Sequence, residues 1–94
     1  MNQDQVNVCW KQISVATKMA CGARNPVCTS TGNLRFQVES KPHRYIEISL
    51  NGLDLYEVEY YRLKRGTYEK VSIEGEADVY ADNLSELIYH MVNR

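Results

Sequence analysis

Residues 46–60, Ile46-Glu47-Ile48-Ser49-Leu50-Asn51-Gly52-Leu53-Asp54-Leu55-Tyr56-Glu57-Val58-Glu59-Tyr60, decide the fold. Ile46, Ile48 and Leu50 alternate with Glu47 and Ser49, and Tyr56, Val58 and Tyr60 alternate with Glu57 and Glu59. That period of two marks strands with one dry face and one wet face. Asn51-Gly52 between them is a strong hairpin signal. A two-residue turn there sets Leu50 opposite Leu53 and Ile46 opposite Glu57, which puts an acid on the apolar face. A three-residue loop, Asn51-Gly52-Leu53, pairs Ile48 with Tyr56 and Ile46 with Val58 and keeps both glutamates in water. Because a slip of one residue turns every side chain over, the alternation selects the longer loop, or a bulge further on. Leu53 and Leu55 are then expected to pack at the hairpin's end, and Tyr61 to point to the wet side with Glu57 and Glu59.

Outward from the hairpin the same logic continues. Leu34, Phe36 and Val38 alternate with Arg35, Gln37 and Glu39, a strand that Lys41-Pro42-His43 breaks. A shorter strand around Val27–Thr29 precedes it, joined through Ser30-Thr31-Gly32-Asn33. Lys64-Arg65-Gly66-Thr67 makes a turn into a last strand, Tyr68–Ile73, and Glu74–Asp78 reads as an acidic connection. At the N-terminus, Val6, Cys9, Trp10, Ile13, Ala16 and Ala20 share one face of a helix expected to start from Asp4 and to end at Gly22, before Pro26. At the other end Asp82 or Asn83 caps a helix whose stripe is Leu84, Leu87, Ile88, Met91 and Val92. The expected architecture is α+β: a helix, a four-to-five-stranded antiparallel meander and a second helix, both helices on one sheet face.

The chain has 94 residues, which allows a single domain, residues 1–94, and one modest core. Its formal net charge of -1 excludes a strongly basic whole-molecule field. That figure is a cancellation, however. Residues 1–46 hold six bases and two acids, a charge of +4, while residues 47–94 hold five bases and ten acids, a charge of -5. No apolar run approaches the ~20 residues of a membrane span, and the first residues have no signal-peptide pattern. Three cysteines, Cys9, Cys21 and Cys28, without a CxxC pair suit a reducing compartment rather than a disulfide framework.

Residue patterns that carry chemistry are sparse. The cysteines with His43 and His90 match no zinc spacing, and no phosphate loop, nucleophile elbow or HExxH occurs. No catalytic residue, metal or cofactor is expected. Glu47, Glu57 and Glu59 face one way on neighbouring strands, with Asp54 at the hairpin tip and Tyr61 beside them. The plain account is a solvated face with Arg35, Arg62 or Lys70 as countercharge. Acids and an aromatic on an open sheet also fit a basic protein partner. Lys64, Arg65 and Tyr68, with Arg35, form the alternative, a surface for nucleic acid, with Lys41, His43 and Arg44 on another loop. Acidic neighbours would repel phosphates, so nucleic acid ranks second, and assembly through homo-oligomerisation third.

Four segments carry a resemblance: Cys21-Gly22-Ala23-Arg24-Asn25, Leu34-Arg35-Phe36, Ile48–Val58, and Val79-Tyr80-Ala81-Asp82-Asn83-Leu84. Together they resemble a widespread family of small, uncharacterised proteins of tailed bacteriophages, whose most specific pattern is Asn-Gly-Leu-Asp-Leu-Tyr followed by Val-Tyr-Ala-Asp. Pro26 departs from the family, which carries an aromatic there. The resemblance implies phage origin and action in the host cytoplasm, and it brings no established activity. Small phage proteins outside the virion often bind a host or defence protein, as anti-CRISPR proteins do, and that sets the expected function: a non-enzymatic protein that binds and modulates or inhibits such a complex.

Overall fold

In a computed structural model, which describes residues 1–39 and 43–93, the hairpin forms from β3 (Arg44–Leu50) and β4 (Tyr56–Leu63). Leu50 stands opposite Tyr56, Ile48 opposite Val58 and Ile46 opposite Tyr60. The connection is therefore Asn51–Leu55, two residues longer than expected, and the register moves by two. A shift of two preserves every face, so the dry and wet assignments survive. Asn51 is the reason for the longer loop. Its Oδ1 accepts from the Leu53 and Leu55 N–H groups at 2.9 and 3.2 Å, and its own N–H donates to the Leu55 carbonyl. The left-handed residue is Asp54, at φ 58°, while Gly52 has an ordinary negative φ and open space around it. Leu53 is 72% exposed and Leu55 half-buried, so Leu53 does not pack as expected.

The other strands are β1 (Ala23–Cys28), β2 (Leu34–Val38) and β5 (Lys70–Val79), in the order β1-β2-β3-β4-β5, all antiparallel. β5 corrects the expectation of a short strand followed by a connection: Glu74, Glu76 and Asp78 belong to it. Two register shifts against β4, with Asp78 at φ 56°, let a polar segment follow its neighbour although it lacks regular alternation. β1 begins at Ala23, earlier than expected. Its pairing is irregular between Arg24 and Val27, around Asn25 and Pro26, a device that blunts an edge strand. Of the Lys41-Pro42-His43 break, Lys41 and Pro42 lie outside the described residues.

The N-terminal segment forms two helices where one was expected, α1 (Gln3–Gln12) and α2 (Val15–Cys21). Ile13 and Ser14 between them are extended. The Ser14 N–H donates to Ser85 Oγ at 2.8 Å, and Ser14 Oγ caps α2 by accepting from the Thr17 N–H. The break advances the buried stripe by one position: Ile13, Thr17 and Cys21 turn inward, while Ala16 and Ala20 are exposed. Asn2, rather than Asp4, caps α1 through a reciprocal box with Gln5. Gly22 ends α2 in the left-handed conformation, as its position suggests.

Helix α3 (Ala81–Asn93) starts slightly before the expected caps, with Asp82 in its first turn. It buries Leu84, Ile88, Met91 and Val92. These join Val6, Cys9, Ile13 and Cys21 from α1–α2 and Leu34, Phe36, Val38, Ile46, Ile48, Tyr56, Val58 and Tyr60 from the sheet in one core. Trp10 meets the Phe36 ring edge-on at 5.1 Å. The fold is α+β, with its helices on one face of a five-stranded sheet. Among the described residues no helix is long and apolar enough to cross a membrane.

Candidate interaction surface

With the helices on one face, strand parity sends Arg35, Gln37, Tyr45, Glu47, Ser49, Glu57, Glu59, Tyr61, Lys70 and Ser72 to the other. At its centre Tyr45 and Tyr61 are directly opposed on β3 and β4, their rings stacked at 5.6 Å and 18°. Lys70 Nζ sits 4.6 Å over the Tyr61 ring, and the Arg35 guanidinium lies 5.9 Å from Tyr45. Tyr61, expected in water, is only 4% exposed because this stack covers it. Burial raises its hydroxyl pKa and the charge of Glu47 adds to that, while Arg35 and Lys70 pull it down. Tyr61 is therefore a buried support of the surface, not a contact residue.

The acids behave differently from one another. Glu47 and Glu59 are a directly opposed like-charge pair, which unassisted costs a few tenths of a kcal/mol to about 1 kcal/mol. Each has relief. Glu47 accepts from Asn33 Nδ2 at 2.9 Å, and Glu59 is ion-paired with Lys70. The hydrogen bond to Glu59 is also the main cause that raises the Lys70 pKa, against burial. Glu57, opposite Ser49, is exposed and makes no ion pair among the described residues. Glu47, Ser49, Glu57, Glu59, Gly75, Glu76 and Ala77 border an open groove of about 400 Å³. Asp54 is exposed at the hairpin tip, at one end of the strands. The sheet thus brings Glu47, Glu57 and Glu59 together, sets Asp54 beyond them, and buries Tyr61.

The alternative set divides. Arg35 belongs to the tyrosine stack on the open face, while Lys64, Arg65 and Tyr68 occupy the β4–β5 turn. Arg44 and Arg62, paired across β3 and β4, lie at that end as well, and Lys41 is outside the described residues. Lys70 supplies countercharge on this face, as expected, while Tyr45 completes it without having been singled out as a member. Tyr45 shares the parity of Glu47, so the alternation already held the signal. Among the described residues no group of three metal-ligating side chains converges. Lys70 is ion-paired with Glu59 and feels the charge of Glu47, while Glu57 is exposed, and an exposed carboxylate patch of this kind suits recognition of positive charge.

No family model matches this chain, and neither curated proteins nor solved structures give a match. The class that the fold defines is a helix-covered antiparallel meander with one open, acidic sheet face.

Proposed function

We propose that the chain is a small phage-encoded, non-enzymatic interaction protein that docks its open sheet face on a basic surface of a host or defence complex and so modulates or inhibits it, in the manner of an anti-CRISPR protein acting in the host cytoplasm. The observation that carries this reading is the uncovered sheet face, where Glu47, Glu57 and Glu59 border an open groove on the same face as the Tyr45–Tyr61 stack. A preformed sheet loses little conformational entropy on docking. Unscreened acids such as Glu57 favour encounter with a positive surface, which in a defence complex is the surface that holds phosphates. Asp54 at the tip extends the same charge beyond the groove.

The test is affinity capture from bacterial lysate with the wild-type chain and with Glu57→Lys/Glu59→Lys, both shown folded by circular dichroism. The wild type should retain a partner that the double variant and raised salt both release. A partner retained equally by both chains would remove the acidic face from the interaction.

A further inference from the structure

The meander sorts charge along the strands, not only by face. Along β4, Glu57 and Glu59 come before Arg62, and Lys64 and Arg65 follow in the turn; on β5, Lys70 comes before Glu74, Glu76 and Asp78. Because the two strands run antiparallel, bases from both collect at the β4–β5 turn and acids toward the other end. β3 contributes Arg44 to the basic end, directly opposite Arg62. Two arginines facing each other across a ladder oppose folding. Arg44 is held there by its bond to the Tyr60 hydroxyl at 3.1 Å. Among the described residues no ion pair engages Arg44, Arg62, Lys64 or Arg65. Glu39 at this end is taken by Arg24. Glu69 and Glu74 are the nearby acids in sequence.

The turn also presents an aromatic. Tyr68 is 73% exposed and adopts φ 56°, a conformation that bulky residues rarely occupy. It is fixed there, since its N–H donates to the Lys64 carbonyl and the Lys64 N–H donates to the Glu69 carbonyl, both at 2.8 Å. His43, Leu63, Lys64, Arg65, Gly66 and Tyr68 border an open depression. A cluster of cations with no ion pair among the described residues, beside a displayed ring, is the chemistry of backbone phosphates with a stacked base.

We infer that this end of the sheet, Arg44, Arg62, Lys64 and Arg65 with Tyr68, is a second binding site, for a single-stranded nucleic acid. The four cations take phosphates and Tyr68 stacks on a base. The site is separate from the acidic face and does not depend on the function proposed for it.

Fluorescence anisotropy of the full chain with a labelled oligothymidine about 20 nucleotides long tests this. Four phosphate contacts on a single strand predict an affinity loss of about 50-fold between about 50 and 200 mM salt. Lys64→Gln/Arg65→Gln should reduce that loss to about sevenfold. Tyr68→Ala should weaken binding about tenfold at fixed salt without altering the salt slope. Glu57→Lys/Glu59→Lys should retain the binding, which separates this site from the acidic face. Absence of binding by folded protein at low salt would overturn the inference. So would a Tyr68→Ala variant that binds like wild type, or long-chain polyphosphate that binds while the oligonucleotide does not.

Discussion

Replacing Asn51 by Ala tests what holds the five-residue hairpin loop open. The substitution removes an acceptor from two backbone N–H groups, those of Leu53 and Leu55, and a donor from Asp78, whose Oδ1 lies 2.7 Å from Asn51 Nδ2. At about 1 kcal/mol for each backbone bond, and less than that for the exposed bond to Asp78, the cost is about 2–3 kcal/mol. Against the roughly 5–14 kcal/mol expected for a domain of this length, that is a large fraction. Asn51→Asp separates the contributions. It keeps both acceptor bonds but sets one carboxylate against another at Asp78, so it should cost about 1 kcal/mol near neutrality and less in acid. Urea unfolding followed by circular dichroism measures both variants, with unchanged m-values as the sign that the fold is retained. An Asn51→Ala cost under about 0.5 kcal/mol, or an aspartate variant as unstable as the alanine one, would refute the account of the loop.

Other consequences follow from particular residues. Burial raises the Cys9 thiol to about 11 and the Tyr56 hydroxyl to about 12. The folded chain therefore keeps protons that the unfolded chain releases, so this stabilisation is complete below about pH 9 and lost as pH rises toward 12. Cys9→Ala should flatten that alkaline decline in a urea-midpoint series against pH; an unchanged slope would exclude the thiol. Gly52→Ala should shift stability by under about 0.5 kcal/mol, because Gly52 has open space and an ordinary φ. Gly32→Ala should cost about 1–3 kcal/mol, because φ is 82° there and an added Cβ would lie 2.5 Å from the Met1 carbonyl oxygen; equal stabilities of the two variants would reverse the assignment. Tyr61→Phe should cost under about 1 kcal/mol and Tyr61→Ala about 3–5 kcal/mol, measured by thermal unfolding, if the stack and not the hydroxyl supports the open face.

Strand faces were legible in the sequence because alternation depends only on parity. Ile46, Ile48, Val58 and Tyr60 keep their faces although their partners moved by two residues. The loop length was not legible, because it rests on one side chain, Asn51, curling back onto two backbone groups. The helix break was hidden for a related reason. Ile13, Ala16 and Ala20 continue the stripe of Val6, Cys9 and Trp10 at helical spacing, and the competing bond from the Ser14 N–H goes to Ser85, 71 positions away in the chain. The second half of β5, from Glu74 to Val79, was read as a connection because an edge strand with two register shifts has no regular alternation to read. On the acidic face, Glu47, Glu57 and Glu59 came from parity alone. The burial of Tyr61 depended on Tyr45, Arg35 and Lys70 arriving from three other strands.

The sorting of charge along β4 and β5 gives the molecule an electrical polarity that its net charge conceals. With a monopole of only -1, a distant charged body exerts little net pull on it but a real torque. The chain therefore turns before it approaches, offering the Asp54 tip to a positive body and the Lys64-Arg65 turn to a negative one. Its orientation at first contact is set by the direction in which two antiparallel strands happen to run.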